Sequence, residues 1–220
     1  MTDFFSADHH HGHGNIIKYS HRTNFCDKRE KTIINRNNDE EIKNLKISDK
    51  SVEIMSRSII LAHNARVKTY DTLYHVGDFA FKSGTASGNG TKTKFEEWDA
   101  QLNGRKVYFL GNHDKNNGTK TILRAGVVES SGQRFFVTHR PSDMNPDYEV
   151  NLVAHVHDHW PIKTVKVDYS GNLVYLVNVG VDVWNFYPVT IPEIIDRIKK
   201  YKDKNMIPPA VSMAEIWAER

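Results

Sequence analysis

The stretch Val107-Tyr108-Phe109-Leu110-Gly111-Asn112-His113-Asp114 decides how the rest of the chain can be interpreted. An apolar run with the composition of a β-strand ends at a glycine, and an amide, an imidazole and a carboxylate follow directly. Glycine lets the backbone turn sharply, so these three side chains can reach one small volume at the rim of a sheet. The stretch therefore predicts a strand that delivers polar chemistry to a loop.

Four other apolar runs of the sequence also end in Asp or His. In open α/β sheets ligands gather at the carboxyl ends of the strands, where residues distant in sequence converge. The run at Phe4 and Phe5 leads to Asp8 and His10, and the others lead to Asp78, to His139, and to His155 with His157. We therefore expect these residues to meet at one edge of an α/β fold.

The residue types at these strand ends are those of metal ligands. Carboxylate, imidazole and amide donors without a thiolate suit divalent Mn, Fe or catalytic Zn. The set is too large for one ion that also binds water, and it suits two ions roughly 3.5 to 4 Å apart that share a carboxylate. The strand ends together carry Asp8, His10, Asp78, Asn112, His113, His139, His155 and His157.

The composition of the chain restricts the classes of protein to which such a site can belong. With 220 residues, 39% of them hydrophobic and 26% charged, the chain predicts one soluble domain over residues 1–220. The net charge of +3 is too small to indicate a nucleic-acid surface. No apolar run approaches the roughly 18 residues of a membrane span, and Cys26 is the single cysteine, so a cytoplasmic protein is expected.

The remaining segments give a coarse secondary-structure prediction. Apolar spacing predicts a helix from Ser51 to Arg66 and another from Pro192, within a helical tail over 192–220. The charged segment 27–50 is interpreted as a surface loop or insertion. Residues 82–93 have the composition of a flexible loop, either a flap over the site or a plain linker. A short helix is expected at Thr121–Ala125, and a hairpin from 162–169 to 173–181.

The five polar strand ends together resemble a known signature. Asp8-x-His10, Gly77-Asp78, Gly111-Asn112-His113-Asp114, His139 and His155-x-His157 resemble, in order and spacing, the five blocks of the calcineurin-like metallophosphoesterase superfamily. The segments 64–81 and 178–184 resemble its short bacterial and phage-encoded members. One departure is Ala154, where the last block usually begins with glycine. The resemblance implies a single-domain, four-layer α/β/β/α sandwich.

The resemblance also implies a role for each motif residue. Asp8, His10, Asp78 and His157 would hold one ion and Asp78, Asn112, His139 and His155 the other, with Mn the first choice and Fe, Zn, Ni or Mg as alternatives. Attack by a metal-bridging hydroxide, with His113 as general acid, would hydrolyse the ester. Asp114 would orient the His113 ring and favour its protonated form.

The substrate implied is a phosphate monoester or diester, with a phosphodiester or nucleotide favoured and no membrane or obligate protein partner expected. Asn112 and Arg140 are candidate substrate contacts, and Arg22 and Lys82 are further candidate phosphate contacts. His63 and His75 are interpreted as packing or helix-face residues, and His13 as a neighbour of the ligands. His9 and His11 alternate with His10 and are expected to point away from the site. The alternative function is a catalytically silent metal-binding scaffold or interaction protein of the same fold.

Overall fold

A computed structural model of the chain describes residues 1–81, 95–114, 123–130 and 132–218. The whole of the predicted loop 82–93, including Lys82, lies outside the described residues, as do 121–122 of the predicted short helix and the last two residues of the tail. Within the described residues no helix is both long and apolar enough to cross a membrane.

The first sheet carries three of the five polar strand ends. Its strands are β1 (Asp3–Ser6), β2 (Thr72–His75), β3 (Arg105–Tyr108) and β9 (Val189–Thr190), in the order β3-β2-β1-β9. β1, β2 and β3 run parallel, and the register pairs Ser6 with His75 and His75 with Tyr108. The chain therefore leaves all three strands at the same level of the sheet.

The second sheet carries the other two polar ends. It consists of β4 (Ala125–Ser130), β5 (Gln133–Thr138), β6 (Val150–Val153), β7 (Ile162–Lys166), β8 (Leu173–Asn178) and β10 (Val211–Ser212), in the order β10-β7-β8-β6-β5-β4. β5, β6 and β8 are parallel, and β7 and β8 form the predicted antiparallel hairpin. Past the strand ends Ala7 bridges to Gly180, which joins the two sheets at the level of the polar residues.

The two sheets pack face to face and helices cover their outer faces. The central core contains Phe5 and Val76 of the first sheet and Val137, Leu152 and Val177 of the second. Outside the first sheet lie α4 (Asp49–Arg66) and α5 (Phe95–Asp99), and outside the second lies α7 (Met213–Ala218). α6 (Ile191–Asp203) adds its apolar face to the central core. The α/β class and the α/β/β/α layering are confirmed.

The interpretation of residues 27–50 as a loop is wrong, because two helices occupy much of it. α2 (Lys28–Asn35) begins at a capping box between Asp27 and Glu30, and α3 (Asp39–Asn44) begins at Asn38, whose side chain accepts from two backbone N–H groups. α1 (Gly14–Tyr19), α2 and α3 each contribute only a few apolar residues to the core, and these residues are well separated in sequence. Ile34 of α2 packs with Ile17 of α1 in a second core cluster.

The helix expected at Thr121–Ala125 is also wrong in its described part. Leu123 forms a β-bridge with Phe109, and Ala125 is the first residue of β4. β4 is the edge strand of the second sheet and is mostly exposed, so its sequence lacks the apolar alternation that marks a strand.

Candidate metal centre

The seven predicted ligands all lie in the loops that follow the aligned strand ends, and five of them have a left-handed backbone. The angle φ is +56° at Asp8, +50° at His10, +56° at Asp78, +74° at His155 and +45° at His157. A residue other than glycine pays on the order of 1 to 3 kcal/mol for such a conformation, and such strain gathers at functional sites. At these five positions the left-handed conformation turns the ligand side chains away from the direction of the strand.

Asp8, His10 and His157 form the first group of donors. One ligand atom from each of the three lies within 4.8 Å of the others, a spacing that can hold one metal ion. Asp8 and His10 are buried, whereas His157 is partly exposed. The group therefore opens towards solvent on the side of the second sheet.

Asp78, His139 and His155 form the second group, with the same spacing between ligand atoms. Asn112 belongs with it, because its Oδ1 lies 3.1 Å from His139 Nε2. Asp78 Oδ2 lies 3.4 Å from His139 Nε2 and 3.5 Å from His10 Nε2 of the first group. Asp78 thus stands between the two groups.

The donors fit divalent cations because the protein itself leaves their inward atoms unsatisfied. Among the described residues, Asp8 Oδ1, Asp78 Oδ2 and His10 Nε2 are buried without a hydrogen-bond partner. Buried carboxylate and imidazole atoms are costly to leave unpaired, and a cation supplies what they lack. The two groups can each bind a metal ion, and binding by the seven named residues stays a prediction.

Two glycines make room for the carboxylates. A Cβ on Gly111 would overlap the side chain of Asp78, and a Cβ on Gly180 would lie 2.7 Å from Asp8 Oδ2. Gly111 follows β3 and Gly180 follows β8, so each sheet brings a bare backbone position against one carboxylate. The glycines hold space for the ligands in addition to allowing the turns.

The same carboxylates are fixed by backbone N–H groups on their outer side. Asp8 Oδ2 accepts a hydrogen bond from the N–H of His155 at 3.0 Å, and Asp78 Oδ1 accepts one from the N–H of His113 at 2.9 Å. His139 Nδ1 donates to the carbonyl of Val76 at 2.8 Å, which directs Nε2 towards Asp78. One oxygen or nitrogen of each side chain is held, and the other is left for an ion.

Electrostatics in the apo site centre on Asp78 and His139. Burial alone would raise the pKa of Asp78, but the nearby His139 and the charge of His10 hold it below its usual value. Burial would also lower the pKa of His139, and Asp78 and Asp8 instead raise it to about 9. Burial lowers the pKa of His155 to about 4. The Asp78 carboxylate is therefore stabilised by neighbouring positive charge, which a bound cation would also supply.

Asp182 is a contributor that the sequence analysis missed. Its Oδ2 lies 3.2 Å from His157 Nδ1. The carboxylate can therefore accept a hydrogen bond from the Nδ1–H group, which leaves Nε2 of His157 free as a ligand. Arg22 donates to both of its oxygens, at 2.7 and 2.9 Å. Burial would raise the pKa of Asp182, but Arg22 and His157 hold it at about 2. The only sequence signal is a further polar residue after the apolar run of β8.

The suggestion that Arg22 contacts substrate is wrong. Its side chain is fully buried, and besides Asp182 it donates to the carbonyls of Asp8 at 2.7 Å and His9 at 3.1 Å. The guanidinium therefore braces the backbone that carries the first ligand and cannot reach solvent.

His113 and Asp114, the predicted catalytic pair, lie in different surroundings. His113 is exposed, and its ring centroid lies 5.3 Å from that of His10. Asp114 is buried, and its carboxylate accepts from the N–H groups of Asp78 at 2.7 Å, Gly111 at 2.9 Å and Phe79 at 3.2 Å. These contacts tie two ligand loops together, and the predicted action of Asp114 on the His113 ring stays a prediction.

The other histidines separate into two sets. His13 lies with the ligands: its Nδ1 is 3.2 Å from His10 Nδ1, and its ring stacks on Phe81. The buried rings of His9 and His75 contact each other, and His11 stacks on Trp98 under α5. His63, on α4, bonds the carbonyl of Asn103.

Comparison with known proteins shows a shared fold. No protein-family model matches the chain. It is 26% identical over 202 residues to the uncharacterized protein MJ1445 of Methanocaldococcus jannaschii, covering 90% of this chain and 92% of that protein. The crystal structure of AQ665 from Aquifex aeolicus, a protein of unknown function, aligns at a TM-score of 0.55 and 20% identity, covering 89% of this chain and 98% of that chain.

Two further solved structures are more distant. An archaeal phosphodiesterase is 18% identical to this chain, and the alignment covers 82% of this chain and 84% of that chain. An uncharacterized protein of Streptococcus pneumoniae, described as a predicted phosphoesterase, is 12% identical and covers 81% of this chain and 71% of its own. Both have a TM-score of 0.31, so neither bears on the activity of this chain.

Proposed function

We propose that this protein is a dinuclear-metal-dependent phosphoesterase that hydrolyses phosphate monoesters or diesters, with phosphodiesters or nucleotides preferred. One observation carries the proposal: two groups of mostly buried metal-type donors meet at Asp78, which belongs to the second group and lies 3.5 Å from His10 of the first, and buried atoms of both groups have no hydrogen-bond partner. Two ions roughly 3.5 to 4 Å apart are a known device for displacement at phosphorus.

The first ion would be held by Asp8, His10 and His157, the second by Asn112, His139 and His155, and Asp78 would contact both. When bound, such ions supply an activated water and neutralise the phosphoryl oxygens. Donors of oxygen and imidazole nitrogen support Mn as the first choice, with Fe, Zn, Ni and Mg as alternatives.

His113 is proposed as the general acid. Its backbone N–H is fixed on Asp78, so the ring stays beside the ligand groups, and the ring is exposed to an incoming ester. A protonated imidazole there can give its proton to the departing alkoxide, which typically contributes about a hundred- to ten-thousand-fold in rate. Asp114 supports this role at least indirectly, because it fixes the turn that carries His113.

Asn112 and Arg140 are proposed to contact the phosphoryl group. Both line one cavity beside His139, and the guanidinium of Arg140 is matched in geometry and charge to a phosphate. The residues described around the ligand groups leave His113 exposed and His157 partly exposed. A site that is open in this way can admit a nucleotide, so a nucleotide-type substrate is preferred.

Incubation of the full chain with Mn²⁺ and bis-p-nitrophenyl phosphate tests the proposal. We expect metal-dependent release of nitrophenol, and His113→Ala should lower kcat by about a hundredfold or more without changing the number of bound Mn²⁺ ions. His159→Ala, which removes another exposed imidazole close to the last ligand motif, is the matched control and should leave kcat unchanged.

The same experiment separates the enzyme from a catalytically silent scaffold. A scaffold would bind Mn²⁺ without releasing nitrophenol. Release that is equal in the His113→Ala variant and the unmodified chain would contradict the role given to His113.

A further inference from the structure

A cavity of about 190 Å³ adjoins the second ligand group and contains two arginines. We call it the arginine pocket; its polar lining consists of Asn112, Arg124, Thr138, His139, Arg140 and Asp143. Asn112 and His139 face both this pocket and the candidate metal centre. A group bound in the pocket is therefore a direct neighbour of whatever occupies that centre.

The fold brings the two arginines together from different strands. Ala125, the first residue of β4, pairs with Thr138, the last residue of β5, so Arg124 and Arg140 continue from paired strand ends. Leu123, just before Arg124, accepts a backbone hydrogen bond from Leu110 at 2.8 Å. The segment that carries Arg124 is thereby attached to the strand that leads into Gly111 and Asn112.

The charge of the pocket favours an anion. Neither Arg124 nor Arg140 has an ion-pair partner in the part of the chain that the structure describes. Asp143 also lines the cavity, so the two arginines and this one carboxylate leave one net positive charge before His139 is counted. The charge of Arg140 is one of the influences that lower the pKa of His155, after burial and His139, so it lies within electrostatic reach of the ligands.

The size of the pocket limits the group it can hold. Sites for whole drug-sized ligands have volumes of roughly 300 Å³ or more, and this cavity is smaller. It suits one compact oxyanion, and guanidinium groups bind phosphate oxygens in pairs of hydrogen bonds.

We propose that the arginine pocket binds a second phosphate of the substrate, next to the phosphate that is hydrolysed. This inference rests on the proposed phosphoesterase function and narrows its substrate to nucleotides or oligonucleotides with at least two phosphates. Arg124 and Arg140 then determine specificity, and they act on substrate binding more than on the chemical step.

Matched chromogenic substrates test this with the Mn²⁺-loaded full chain. Thymidine 5′-(p-nitrophenyl phosphate) is compared with its 3′-phosphorylated form, and thymidine 3′-(p-nitrophenyl phosphate) with its 5′-phosphorylated form, because the pocket can lie on either side of the ester. We expect the second phosphate to lower KM about tenfold or more in one of the two pairs.

Variants identify the residues responsible. Arg124→Gln should reduce that advantage at least threefold while leaving KM for the singly phosphorylated substrate within about threefold, and Arg124→Lys should recover part of it. The double variant Arg124→Gln/Arg140→Gln should abolish the advantage. Arg134→Gln, at the other end of β5, is the matched control and should keep the full advantage. If neither pair shows an advantage, or if the Gln/Gln variant keeps it, the proposal is overturned.

A binding measurement tests the arginine pocket independently of the enzymatic activity. If no substrate is hydrolysed, the phosphoesterase proposal fails, and inorganic pyrophosphate is titrated into metal-free protein while the arginine Nε–H signals are followed by NMR. Shifts at Arg124 and Arg140, with no shift at the control residue Arg134, would support an anion site without the activity. Unchanged signals would overturn the pocket as well.

Discussion

Replacing Asp182 with alanine removes the carboxylate that connects Arg22 to the candidate ligand His157. Both side chains of the Arg22–Asp182 pair are almost fully buried, with 0% and 2% exposed. The substitution leaves a buried guanidinium without its counter-charge and an imidazole without the partner that directs its second nitrogen. We therefore expect two effects, one on folding stability and one on metal affinity.

The loss of stability can be bounded from these contacts. Removing one member of a buried ion pair typically costs about 3 to 5 kcal/mol. Arg22 keeps its hydrogen bonds to the carbonyls of Asp8 and His9, so the lower end applies. About 3 kcal/mol in a chain of this size lowers Tm by roughly 6 to 12 °C. Loss of the carboxylate on His157 should weaken Mn²⁺ binding about ten- to a hundredfold.

Urea unfolding of the metal-free protein and Mn²⁺ titration measure the two effects. Asp196→Ala is the matched control, because it breaks an exposed pair with Lys200 and should cost about 0.5 kcal/mol or less. The double variant Arg22→Met/Asp182→Ala removes both charges and should cost at least about 2 kcal/mol less than the sum of Arg22→Met and Asp182→Ala measured singly.

Two results would refute this reasoning. A cost for Asp182→Ala no larger than that of the exposed control would mean that the buried pair does not hold the ligand loops. Additivity in the double variant to within about 0.5 kcal/mol would mean that Arg22 and Asp182 act independently.

Three other substitutions or modifications test separate parts of the site. Gly111→Ala would force a Cβ onto the Asp78 carboxylate and should cost more than about 2 kcal/mol in urea unfolding, whereas Gly126→Ala, with its nearest neighbour at 3.4 Å, should cost less than half of that; equal costs would contradict the crowding. Asp114→Ala leaves three backbone N–H groups without their acceptor and should cost about 3 kcal/mol or more; a cost below about 1 kcal/mol would exclude a bracing role. Burial and the neighbouring Glu30 raise the pKa of Cys26 to about 12, so the thiol stays neutral at pH 8.5 and iodoacetamide should label it much more slowly in the native than in the urea-unfolded protein; equal labelling rates would contradict that environment.

The convergence of the predicted ligands could be anticipated from the sequence because parallel strands fix their carboxyl ends at one level. The strand register places the residues that follow Ser6, His75 and Tyr108 side by side. Polar residues shortly after each apolar run must therefore lie close together. The helix predicted from Ser51 was also found, as α4, since its apolar residues recur at helical spacing.

The parts that failed depend on few apolar residues or on contacts between distant segments. α2 and α3 bury only Ile34 and Ile42 as apolar side chains, and their caps are the clearer signal. Asp182 acquires its role only when the chain returns from β8 to meet Arg22, 160 residues away in sequence. β4 pairs with β5 at the edge of the sheet, where exposure removes the apolar alternation.

The central claim is that two divalent ions bind on either side of Asp78. Anomalous diffraction from crystals of the full chain soaked in Mn²⁺ tests it directly, without assuming any substrate. The account predicts two peaks that both contact Asp78, one beside Asp8, His10 and His157 and the other beside His139 and His155. No peak at these residues, or a single peak that Asp78 does not contact, would contradict it.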